Sequence, residues 1–138
     1  MLMEDEAART VLDQRFSGIF PGRPERVAEA RHAVARFLGG HPAAGDIALI
    51  VSELATNAVL YSASADGSFI VQVQIYPAYV WVEVQDAGGP WIPVPPDGRP
   101  HGLDIVQALT AEWGTDVMTG GGRVVWARVA VNDIGKGT

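Results

Sequence analysis

The sequence predicts an α+β fold, a two-layer α/β sandwich with helices on one face of a mixed sheet. Two amphipathic helical patterns come first, two alternating strand patterns separated by a dipeptide follow, and a further helix and two strands close the chain. That order lacks strict β-α-β alternation, which excludes a doubly wound sheet. With 138 residues, 48% of them hydrophobic, the chain is of single-domain size. It can bury roughly two-thirds of its unfolded surface without staples.

Residues 1–18 read as a polar leader. Phe20-Pro-Gly-Arg23 then reads as a turn that delivers Pro24 to a first helical turn, where its missing N–H is no loss. From Glu25 to Leu38 the apolar residues Val27, Ala30, Val34, Phe37 and Leu38 recur at helical spacing, and Gly39-Gly40 ends the helix. Asp46 lies at the start of a second helix, whose apolar positions Ile47, Ile50, Val51, Leu54, Ala58 and Val59 carry it to about Tyr61. Phe69–Tyr76 and Tyr79–Asp86 alternate apolar with polar residues across Pro77-Ala78, which predicts an antiparallel hairpin with Gln72, Gln74, Glu83 and Gln85 facing out. Residues 90–101 hold five prolines and must form a loop.

Gly102 to about Trp113 reads as a short helix and Gly114–Val117 as a weak strand. Gly120-Gly-Gly122 marks a turn, and Arg123–Val131 is rich in strand formers. Asn132–Thr138 reads as a frayed tail. The expected organisation is therefore a leader over 1–18, one domain over 19–131 and a tail over 132–138.

Composition narrows the function classes. A net charge of −6 and a pI near 4.9 argue against direct nucleic-acid binding, which needs clustered Lys and Arg. There is no cysteine, and His32, His41 and His101 lack the spacing of a metal cluster. The acidic start has no basic n-region, and no apolar run is long enough to cross a bilayer, so a cytoplasmic protein is expected. Nine of the ten basic residues are arginine, so any bound phosphate needs backbone amides, a cation or Arg. Trp81 and Trp126 fall in strands as packing residues, whereas Trp91 falls in the proline-rich loop.

Three places interrupt the folding pattern with polar chemistry. Glu53 and Asn57 lie one turn apart on the second helix and project from one face. A carboxylate beside a carboxamide suits a hydrated divalent cation or the positioning of a nucleophile hydroxyl; the alternative is a plain solvent face. Asp86 ends a strand just before Ala87-Gly88, where the backbone allows close approach and the carboxylate can accept from an exocyclic amine or simply start a turn. Gly102 opens a helix, whose first amides attract anions.

These segments, Val51-Ser-Glu-Leu-Ala-Thr-Asn-Ala-Val-Leu-Tyr-Ser62, Glu83-Val-Gln-Asp-Ala-Gly88 and His101-Gly-Leu-Asp-Ile-Val106, resemble in order the N, G1 and G2 boxes of the GHKL ATPase superfamily. The resemblance is greatest to its stand-alone branch of anti-sigma-factor serine/threonine kinases, whose domain is histidine-kinase-like, and it covers about residues 19–131. It implies a Bergerat-type ATP-binding fold. It further implies that Asn57 ligates Mg²⁺ and that Glu53 is the general base. By the same resemblance Asp86 accepts from the adenine amino group, Gly88 lets the base approach, Gly102 and Leu103 lie by the phosphates, and residues 90–101 form the ATP lid. The sequence departs from the branch in a short, proline-rich lid and in Arg99-Pro100-His101 before the G2 helix. Tyr61 stands where the branch often has His, and Val124 where a Thr or Ser commonly backs the adenine-binding Asp through a hydroxyl.

Two functions follow from the resemblance. One is a kinase that transfers the ATP γ-phosphoryl group to a Ser or Thr of an anti-anti-sigma factor. The other is a non-catalytic module that sequesters a sigma factor with weak or absent nucleotide binding. Stand-alone members of the branch pair, so a homodimer is implied as well.

Overall fold

The computed structural model describes residues 14–61, 67–87 and 102–131. The chain runs β1 (Arg15–Pro21), α1 (Pro24–Leu38), α2 (Ala44–Tyr61), β2 (Ser68–Ile75), β3 (Tyr79–Asp86), α3 (Gly102–Leu109), β4 (Glu112–Val117) and β5 (Arg123–Ala130). Five strands form one sheet in the order β1-β2-β3-β5-β4. The two-layer α+β sandwich stands as expected, but every pairing is antiparallel rather than mixed. The lid (90–101), Gly88 and the tail (132–138) lie outside the described residues, as does the leader up to residue 13.

Local chemistry explains the helices. Pro24 sits in the first turn of α1, and Gly39 ends the helix at φ 57°, with its N–H donating to the Ala35 carbonyl. Val27, Ala30, Val34 and Leu38 are the buried stripe of α1, while Arg26 pairs with Glu29 on the exposed side. α2 carries Asp46 in its first turn, where a carboxylate complements the helix dipole. α2 packs against α1, α3, β2 and β3. That central position explains why Ile47, Ile50, Val51, Leu54, Ala55, Ala58 and Val59 are all buried.

The expected hairpin forms with Tyr79 opposite the Tyr76 amide, which donates to the Tyr79 carbonyl at 2.9 Å. On the inner face of the sheet Phe69, Val71, Val73, Val80, Val82, Val84, Val125, Ala127 and Val129 are buried in one core with the helices. On the outer face Trp81 donates to Glu83 at 2.8 Å and Gln85 donates to the same carboxylate at 3.1 Å. Trp81 and Trp126 stack there with centroids 4.9 Å apart and planes 10° from parallel.

β1 is the main difference from the sequence reading, because it occupies residues 15–18 of the expected leader as well as the first part of the turn. Its inward positions are Phe16, Gly18 and Phe20, so glycine dilutes the alternation that marks a strand. The Phe16 ring lies 5.7 Å from that of Phe37, and Phe20 stacks on Phe69 at 5.6 Å. α3 is also shorter than expected, ending at Leu109. Trp113 instead enters β4 opposite Ala127 and packs against the core. No described helix is long and apolar enough to cross a membrane.

Candidate functional site

The polar residues of interest gather at one end of the sandwich, on the inner side of the sheet. β3 alternates half-buried and buried along its length, and Asp86 takes the last buried position after Val80, Val82 and Val84. Its exposure is 7%, and Asn57 on α2 is exposed by only 4%; they are the two buried polar or charged residues among those described. α2 leads through a short connection into Ser68 of β2, and Ser68 borders a cavity together with Asp86 and Ala87. The C-terminal half of α2 and the end of β3 therefore meet at the same end of the fold.

Asn57 is not on a solvent face. Its Nδ2 is buried without a hydrogen-bond partner among the described residues. A buried amide nitrogen in that state loses its hydration with nothing in exchange. If the amide is turned over, Oδ1 takes the same place, so the position offers either a donor to a phosphate oxygen or an acceptor to a cation. Glu53 sits one turn earlier, half-buried, beside a helix bonded normally through Thr56, whose hydroxyl donates to the Ser52 carbonyl at 2.7 Å. One carboxylate and one carboxamide fit a partly hydrated Mg²⁺, which keeps several waters and takes few protein ligands.

α3 begins at Gly102 as the sequence implied and packs on α2. Gly102 and Leu103 are its first two residues. Asp104, also in that first turn, is exposed. Gly88 falls outside the described residues. Among the described residues no group of three His, Asp or Glu converges on a common metal site.

The residue facing Asp86 was not evident from the sequence. Val124 is paired with Gln85 and shares the outer face with Trp126 and Arg128. It therefore does not occupy a position from which a hydroxyl would back Asp86. Arg123 is the residue directly opposite Asp86, and strand parity places it with the buried Val125, Ala127 and Val129. The signal was present in the alternation of the two strands, since two inward-facing runs that end together must bring their last residues together.

A cavity of about 340 Å³ opens at the same end but on the outer face, lined by Ile70, Gln85, Met118 and Thr119 among others. Gly122 borders it, and a Cβ there would come within 3.1 Å of the Asp86 carbonyl oxygen. Asp86 and Ala87 border the cavity too, so it reaches the end of β3 from the outer face.

A family model described as histidine kinase-like ATPase domain matches residues 20–129. Among solved structures, the RsbU and RsbW domains of Rv1364c from Mycobacterium tuberculosis superpose with a TM-score of 0.65 at 20% identity. The match covers 83% of this chain and 32% of that one, so the chain spans about a third of that structure's length, and the likeness is one of fold. No curated protein matches.

Proposed function

The chain belongs to the histidine kinase-like ATPase domain family, and from that premise we propose that it is an ATP-binding regulator of the anti-sigma-factor type. In this reading it is a serine/threonine kinase that phosphorylates an anti-anti-sigma partner, holds a sigma factor in alternation with it, and works as a homodimer in the cytoplasm. The observation that carries the nucleotide part is the buried Asn57 Nδ2, without a partner among the described residues and one turn from Glu53. A folded core retains such a group at a cost of about 1–3 kcal/mol unless a group beyond the described residues, such as a bound nucleotide, completes it.

Asn57 would hold Mg²⁺ through its amide oxygen, and the ion, when bound, neutralises charge on the triphosphate. In this reading Asp86 would accept from the 6-amino group of adenine, Gly88 would be the glycine at which the ring approaches, and the amides of Gly102 and Leu103 would bind the phosphates. Glu53 takes the proton of the attacking Ser or Thr hydroxyl. The hydroxyl oxygen bonds to the γ-phosphorus as the bond from that phosphorus to the ADP oxygen breaks, and ADP leaves with the electron pair. Positioning and charge stabilisation supply most of the rate in such transfers. Val124, on the outer face, bears neither on this reading nor on that of a non-catalytic sigma-sequestering module.

The test is calorimetric titration with Mg·ATP, followed by transfer of labelled phosphate to candidate anti-anti-sigma proteins. Asp86→Asn is expected to abolish saturable binding. Glu53→Gln is expected to bind Mg·ATP like the parent and to transfer no label. No heat with millimolar nucleotide would sink the kinase reading and leave the sequestering module, and binding without transfer would make the nucleotide a structural ligand of a non-catalytic protein.

A further inference from the structure

Asp86 closes β3, Arg123 opens β5, and the two stand directly opposite each other in the antiparallel register. Opposed residues of such a pair project from the same face with Cβ atoms about 5 Å apart. That face is the inner one, because Asp86 continues the buried series Val80, Val82 and Val84 and Arg123 precedes the buried series Val125, Ala127 and Val129. Asp86 is buried, and the Nη1 atom of Arg123 is buried as well.

Burying a carboxylate and a guanidinium is costly for each alone and tolerable only when they are held together. Nothing in the packing asks for charge here. Every other inward position of these two strands, from Val80 to Val84 and from Val125 to Val129, is valine or alanine. The pair stands instead at the end of the sheet shared with Asn57. A guanidinium is a planar fork that can fix one carboxylate oxygen and leave the other free, and an opposite charge favours the ionised carboxyl, which only accepts.

We infer that Arg123 is a positioning residue for Asp86 that turns the carboxylate toward the 6-amino group of adenine and thereby selects 6-amino over 6-oxo purines. This rests on the reading that the inner-face site holds ATP. A 6-oxo purine would bring a carbonyl oxygen against the carboxylate, so a fixed Asp86 rejects it and a loosened Asp86 does not.

The experiment is calorimetric titration of Mg·ATP and Mg·ITP into the full chain and into Arg123→Met, Arg123→Lys and Val124→Thr, with far-ultraviolet circular dichroism to confirm folding. The parent is expected to prefer ATP by about tenfold or more, the size of one hydrogen bond to a charged acceptor. Arg123→Met narrows that preference to within about threefold, as loss of the bond requires, and Arg123→Lys keeps most of it because the charge remains. Val124→Thr, on the outer face, matches the parent. Should Arg123→Met not fold, Arg123→Gln replaces it. An unchanged ATP-to-ITP ratio in the folded neutral variant overturns the role of Arg123 alone. A parent that binds neither nucleotide overturns the ATP reading, and this inference with it.

Discussion

Asn57 sets stability against function within one side chain. A buried polar atom without a partner destabilises the fold by about 1–3 kcal/mol, and among the described residues Asn57 Nδ2 is such an atom. Truncation should therefore cost less here than at an apolar neighbour. Asn57→Ala is expected to change unfolding free energy by under about 1 kcal/mol, whereas Leu54→Ala, on the same helix, should lose about 2–5 kcal/mol. Urea unfolding of the two variants checks this, and a large loss in Asn57→Ala would mean that the amide is a structural bond. At this scale the sequence was informative about residue types. Glu53, Asn57 and Asp86 stood out because each interrupts an apolar pattern. Arg123 did not, because its importance comes from the strand across from it, and a cross-strand register is not written in local spacing.

At the scale of elements, helices and hairpin were legible because their signals are local: Pro24 and Gly39 bracket α1, and strict alternation marks β2 and β3. β1 was hidden because two of its three inward positions are aromatic and the third is Gly18. A Cβ at Gly18 would come within 2.9 Å of the Phe20 ring, so the glycine is the space that the rings require. Gly114 repeats the device on the other side of the sheet. It pairs with Trp126 in β5, and a Cβ there would lie 2.8 Å from the indole. Gly114→Val should push Trp126 from its stack on Trp81. The expected outcome is loss of near-ultraviolet dichroism with the far-ultraviolet spectrum kept; an unaltered aromatic signal would show that the strand yields instead.

At the scale of the whole molecule, the described residues share one core. Buried residues from every helix, from β2, β3 and β5, and Phe20 from β1 fall into a single cluster. Unfolding should accordingly be all-or-none. Urea curves from indole fluorescence, which reports Trp81 and Trp126 on the outer sheet and Trp113 against the core among others, are expected to coincide with curves from far-ultraviolet dichroism, which reports chiefly the helices. Separate midpoints would mean that sheet and helical layers part independently. The fold class was legible from element order alone, whereas the direction of the pairings outside the β2–β3 hairpin was not. Once β1 is added beside β2, and β5 enters between β3 and β4, all four pairings become antiparallel.

That last arrangement also sets the order in which the domain can be completed as it is synthesised. β4 is an edge strand whose only neighbour in the sheet is β5, and β5 is later in the chain. When β4 leaves the ribosome it has no slot to fill. The nascent protein already carries Glu53, Asn57 and Asp86 at that stage, on a sheet of three strands whose β3 edge is open. A message cut short before Arg123 would therefore forfeit two strands rather than one, and would present the full set of sequence motifs on an unfinished half-sandwich.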